Sequence, residues 1–214
     1  SNKNISEVVE RVNTKTNKEY YTDTLKTDIS KNELMLVNKY NYLNENYVPE
    51  NLVSIPTTYA WGEYGSQQVT QNTYDAFLKM WNASHEAGFY LMVSSSYRTY
   101  EKQQAVYDNY KKSNGEEYAD SIAARPGYSE HQTGLAIDIN AADDWFNDTE
   151  EAKWLADNAY KYGFIIRYTK EFELLTGIKY ESWHFRYVGV EIASYIHKNN
   201  MSYEEYYIRF LNNS

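Results

Sequence analysis

The sequence predicts an α+β fold: a small, mainly antiparallel sheet with flanking helices. Three observations carry this. Segments with strand-like alternation recur late in the chain, at GLAIDIN (134–140), GFIIRY (163–168) and SWHFRYV (182–188). Segments with helical spacing lie among them. The two kinds follow one another without a regular βαβ repeat, which argues against a parallel sheet.

Taken in order, residues 1–33 are polar, rich in Lys, Thr, Asn and Asp, with a brief apolar pattern at Ile5, Val8, Val9 and Val12. They read as a stalk or short helix. The compact domain is expected over 34–214, beginning with LMLVNKYNYL (34–43) as a strand. Thr70 to Gly88 carries Tyr74, Phe77, Leu78 and Trp81 at helical intervals, with Gly88 as the stop. FYLMVSSS (89–96) is a strand candidate, and YRTYEKQQAVYDNYKK turns into a helix with Thr99 as its N-cap. Arg98 therefore falls at a strand-to-helix junction. EAKWLADNAYKYG is a helix ended by Gly163, and a last helix runs from Val190 to His197.

Composition narrows the function. With 214 residues, 42% hydrophobic and 24% charged, the chain reads as one soluble globular domain. No apolar run approaches the ~18–20 residues of a membrane span. A net charge of -9 argues against nucleic-acid partners, which need Lys and Arg to neutralise phosphates. The chain has no cysteine, so any metal must be held by His and carboxylates. It begins at Ser1 rather than Met, and an upstream signal or membrane anchor is compatible with that start. The 24 tyrosines carry no functional weight by themselves.

Of four histidines, His85 and His197 sit in ordinary helical contexts. His131 and His184 have more telling neighbours. In GLAIDIN the pleat puts Leu135, Ile137 and Ile139 on one face, and Ala136, Asp138 and Asn140 on the other. Fully extended, the chain would separate His131 from Asp138 by ~23–25 Å. It must fold back to bring them together, and Gly134 is suited to the bend. In ESWHFRYVG (181–189), alternation groups Ser182, His184 and Arg186. Glu181 has the wrong parity to join them unless it precedes the regular strand or sits at a bulge.

Two imidazoles and one carboxylate suit Zn²⁺ with a fourth position open, the pattern of a catalytic site. Bound zinc lowers the pKa of water to about 7. Glu181 would then take the proton, and Arg98 would face the oxyanion formed from an amide carbonyl. Each residue also has a plainer role: Arg98 a salt bridge, Ser129 a cap, Tyr128 and Arg186 scaffold, and Asp143, Asp144 and Asp148 a solvated loop.

Three ordered motifs resemble a known family: SSYRTYEKQQAVYDNY, AARPGYSEHQTGLAIDI and ESWHFRYVG. The resemblance is to zinc D-alanyl-D-alanine carboxypeptidases of the VanY type, together with LdcB-type L,D-carboxypeptidases. It spans residues from about Leu36 to near the C-terminus. It implies the D,D-peptidase (hedgehog-like) zinc fold, with His131, Asp138 and His184 as zinc ligands, Glu181 as general base and Arg98 as stabiliser of the tetrahedral intermediate. Ser129 corresponds to a hydroxyl that helps hold the substrate's terminal carboxylate, and Gln103 to a glutamine near the substrate. The implied activity is removal of the C-terminal D-alanine from peptidoglycan stem peptides, outside the bacterial membrane. The rivals are an L,D-carboxypeptidase acting on tetrapeptide stems and a non-catalytic zinc module that binds peptidoglycan.

Overall fold

The structure, a computed structural model, describes residue 14, residues 18–63 and residues 65–212. The short apolar pattern at Ile5 to Val12 lies outside the described residues. Four strands form the central sheet: Val93–Ser95 (β5), Ala136–Ile139 (β6), Phe164–Tyr168 (β7) and Glu181–Tyr187 (β8), in the order β5-β6-β8-β7 and antiparallel throughout. Two small ladders precede it. Leu25–Lys26 (β1) pairs in parallel with Asn41–Tyr42 (β2), and Leu52–Ser54 (β3) pairs antiparallel with Gln68–Thr70 (β4).

The pleat sorts the two central strands as their alternation requires. Ile137, Ile139, Trp183 and Phe185 face a core completed by Phe77 and Met80 of the helix Gln71–Glu86, and by Leu91, Leu155 and Phe164. Full burial of such a side chain stabilises by about 1.5–3 kcal/mol, so this face fixes which side of β6 and β8 looks away from it. Asp138, His184 and Arg186 occupy that other side. A second cluster, with Ile165, Val188, Ala193, Ile196 and Tyr203, packs the C-terminal helices Val190–Asn199 and Tyr203–Tyr206 onto the domain.

LMLVNKYNYL is not a continuous strand. Met35, Leu36, Val37, Tyr40 and Leu43 are buried as its apolar character demands, yet only Asn41–Tyr42 joins a ladder. The interruption is chemical: the Asn38 side-chain oxygen accepts from the amides of Tyr40 and Asn41, 3.0 Å each, and this turn displaces extended pairing. Residues 18–33 lie along the domain. Tyr20 donates to the Leu174 carbonyl at 2.8 Å, and Thr27 to the Leu36 carbonyl at 2.9 Å. Lys39, itself buried, donates to the carbonyls of Asp120 and Gly177.

The helix Tyr100–Asn114 starts where Thr99 caps it, the Thr99 hydroxyl accepting from the Lys102 amide. That capped turn fixes Arg98 one residue outside the helix. The expected helix at 151–163 is α-helical over Glu150–Asn158 and tightens to a 3₁₀ turn over Ala159–Tyr162, with Gly163 left-handed at φ 90°.

Candidate active site

Asp138 and His184 stand directly opposite each other in the β6–β8 register. A cross-strand pair on one face brings side chains within reach without any loop, and here His184 Nδ1 lies 3.1 Å from Asp138 Oδ1. His131 arrives from the 3₁₀ turn Glu130–Thr133, capped by Ser129 and closed by Gly134 in the left-handed region at φ 68°. Its Nε2 reaches 3.3 Å from Asp138 Oδ2. The three candidate ligand atoms lie within 4.8 Å of one another, and all three residues are buried.

Gly134 makes this return possible. A Cβ there would meet Leu52 Cδ2 at 3.0 Å, Pro49 Cγ at 3.2 Å and Thr70 Cγ2 at 3.3 Å. Gly134→Ala is therefore expected to combine a left-handed penalty of about 1–2 kcal/mol with crowding, and to lower the denaturant midpoint. A midpoint equal to wild type would show that the turn relaxes freely.

The imidazoles differ electrically. His131 Nδ1 donates to the Ser96 carbonyl at 2.7 Å, which leaves the Nε2 lone pair toward Asp138. Burial and neighbouring Arg98 push His131 down to about 4. Burial pulls His184 down too, but the attraction of Asp138 and Glu130 outweighs it and lifts His184 to about 9. Asp138 is opposed by burial and held well below the usual carboxylate range by the two imidazoles. This carboxylate-rich, buried pocket calls for positive charge, and its two rings present nitrogen atoms to a shared carboxylate.

Glu181 enters through a break in register. Ile166 pairs with Phe185 and Tyr168 with Glu181, so Ser182, Trp183 and His184 stand opposite the single Arg167. The irregularity overcomes the parity that would have turned Glu181 away. Glu181 Oε2 lies 3.7 Å from His184 Nδ1. Burial pushes the Glu181 carboxyl up to about 8; His184 opposes this and Asp138 adds to it.

Arg98 lies beside the same group, Nη2 at 3.6 Å from Asp138 Oδ2, and its backbone amide donates to the His131 carbonyl. Gln103 borders the cleft, but its amide is occupied: Oε1 accepts from Arg98 Nη1 at 2.8 Å and Nε2 donates to the Ala124 carbonyl at 2.7 Å. These two contacts fix it against Arg98 and the backbone at Ala124. Ser129 also borders the cleft, while its hydroxyl accepts from the His131 amide at 3.3 Å. The cleft measures about 390 Å³, within the range of small-ligand sites. Beyond the charged centre, Tyr110, Tyr118, Ile122 and Lys179 extend its walls.

Glu130, wedged between Ser129 and His131, carries no periodic signal in the sequence. Its carboxylate is fully buried; burial alone would raise it, yet Arg167 and Arg186 hold it well below the ordinary range. Arg186 shares a strand face with His184, and that parity was the available signal.

A family model described as VanY, D-alanyl-D-alanine carboxypeptidase, matches residues 66–190, which contain every residue of this site. The chain belongs to the VanY family. Putative carboxypeptidase YodJ of Bacillus subtilis (strain 168) is 39% identical over 202 residues, covering 88% of this chain and 74% of that protein. The D-alanyl-D-alanine carboxypeptidase of Enterococcus faecalis (strain ATCC 700802 / V583) is 40% identical over 136 residues, 59% of this chain and 51% of that protein, so the match spans about half of that enterococcal protein. Among solved structures, the LdcB LD-carboxypeptidase superposes with a TM-score of 0.80 at 38% identity, covering 89% of this chain and 92% of that one. The D,D-pentapeptidase VanY from a VanB-type resistance cassette, in complex with Zn(II), superposes at 0.69 and 35% identity, covering 81% and 98%. The D,D-peptidase zinc fold expected from the motifs is thus the fold present, and a carboxypeptidase of the VanY family is a hydrolase.

Proposed function

We propose that this chain is a zinc-dependent D-alanyl-D-alanine carboxypeptidase that removes the terminal D-alanine from peptidoglycan stem peptides at the bacterial cell wall. The convergence of His131, Asp138 and His184 within 4.8 Å carries the reading. The donors fit the ion: two imidazole nitrogens and a carboxylate, no thiolate, and a buried Asp138 Oδ1 with no hydrogen-bond partner among the described residues. His131 would hold it through Nε2 and His184 through Nδ1. When bound, zinc supplies Lewis-acid polarisation of the scissile carbonyl and acidifies water.

The chain's own residues do the rest. Glu181 accepts the proton of the attacking water and returns it to the departing D-alanine amine. Arg98, fixed by Gln103, presents its guanidinium where the carbonyl oxygen gains negative charge. Ser129, two residues before His131, offers its hydroxyl to the substrate's terminal carboxylate. A chain acting on wall peptides has its place outside the membrane; among the described residues no helix is long and apolar enough to cross one.

A second reading, L,D-cleavage of tetrapeptide stems, is favoured by one observation: LdcB superposes at 0.80 against 0.69 for VanY. The same centre serves both bonds, and the walls beyond it set the choice. Chromatography of products from defined stems separates them. Release of D-alanine from the pentapeptide is expected; release from the tetrapeptide alone would replace the first reading by the second.

A further inference from the structure

Behind His184, away from the cleft, lies a closed ionic cluster that the chemistry above does not use. Glu130 Oε1 accepts from Arg167 Nε at 2.8 Å and from Arg186 Nη1 at 2.9 Å. Arg167 turns its other two nitrogens to Glu204, at 3.0 and 2.6 Å. Arg186 Nη2 is held by the carbonyls of Glu33 and Met35, at 2.9 and 2.8 Å. The side chains of Glu130, Arg167 and Arg186 are wholly buried and that of Glu204 is 1% exposed. Two arginines and two glutamates balance in charge without His184.

Stability alone gives a poor account of such a group, because apolar side chains of equal volume often serve as well or better. Direction gives a better one. With Oε1 claimed by both guanidinia, the carboxylate cannot rotate, and Oε2 is aimed at His184 Nε2, 3.5 Å away. Neither of those two atoms has a hydrogen-bond partner among the described residues. Flanking rings limit the imidazole itself: Tyr168 and His131 each stand 4.9 Å from it, centroid to centroid.

We propose that Glu130 is a positioning residue: locked by Arg167 and Arg186, it takes the Nε2 proton of His184 as its hydrogen-bond donor and so leaves Nδ1 to face the metal. An ionised carboxylate is an acceptor only, so the ring nitrogen before it must carry hydrogen. The other nitrogen is then the one available as a ligand, and the acceptor behind it raises its basicity. This rests on the reading of His184 as a zinc ligand.

Glu130→Gln inverts the arrangement. The two arginines claim the amide oxygen, which turns the NH₂ toward Nε2, donor against donor, and favours the tautomer with hydrogen on Nδ1. Zinc affinity, measured on the full chain by competition with a fluorescent chelator, is expected to fall 10–100-fold. Glu204→Gln disturbs the same cluster without facing His184 and is expected to stay within about twofold of wild type. Wild-type affinity in Glu130→Gln, or an equal loss in both variants, overturns the proposal.

A measurement on the unaltered protein stands if either variant fails to fold. In the zinc-loaded chain with ¹⁵N-labelled histidine, His184 is expected to show hydrogen on Nε2 and metal on Nδ1; the reverse assignment overturns the proposal. His184→Ala separates the two layers of argument. If it binds zinc as tightly as wild type, the ligand reading has failed and the role of Glu130 falls with it. If His184→Ala loses zinc while Glu130→Gln keeps it, only the role of Glu130 fails.

Discussion

Glu181→Gln is expected to lower kcat for release of D-alanine by about 10²–10⁴-fold, the usual loss for a general acid–base residue, while zinc stays bound. The role proposed for it is proton transfer rather than holding the ion. Its Oε2 is 3.7 Å from His184 Nδ1, its side chain keeps 14% of its exposure toward the cleft, and burial raises it to about 8. Gln keeps the shape and the register break but cannot accept a proton. Loss of kcat with little change in zinc affinity or thermal midpoint is the expected pattern. Cleavage at the wild-type rate by a zinc-loaded Glu181→Gln or Glu181→Ala protein would leave only a peptidoglycan-binding module on this fold.

The second large effect lies at Asp138. It lies 3.1 and 3.3 Å from the two imidazoles and 3.6 Å from Arg98. Asp138→Ala removes a proposed ligand and the charge that draws the two rings together. Zinc is asked to supply several kcal/mol of transition-state stabilisation, so losing it is expected to reduce kcat/KM by about 10³-fold or more. Chelation of the wild-type enzyme is expected to give the same loss, reversed by one equivalent of zinc. Zinc should also raise the wild-type thermal midpoint, because it binds the folded chain, and leave that of Asp138→Ala nearly unmoved. A midpoint rise of wild-type size in Asp138→Ala would remove this residue from the metal site.

What is legible in the chain is whatever a local period encodes. GLAIDIN and SWHFRYV each announced their faces, because alternation is a property of consecutive residues. Parity even flagged Glu181 as needing a bulge, and β8 supplies one opposite Arg167. The Thr99 cap and the Gly134 bend were legible for the same reason. Features that depend on distant partners were not. Nothing near Asn38 reveals that its side chain breaks an apolar run, nor that Gln103 would be occupied by Arg98 and Ala124. Glu130 gives no local signal because Arg167, Arg186 and Glu204 lie far along the sequence, and a buried ionic cluster leaves no periodic trace.

With Asp138 and His184 as the proposed ligands, their direct pairing ties metal uptake to folding order. β6 and β8 are far apart in the chain and join by non-local pairing, which forms slowly because a long loop must close first. Until that ladder closes in register, the two ligands do not meet; a slip by one residue would turn one of them into the apolar core. Chelator-resistant zinc in a refolding experiment should therefore appear together with the sheet and not before it. The ion would act as a clock for the last long-range step of folding, and a chain that misaligns these strands would emerge both inactive and metal-free.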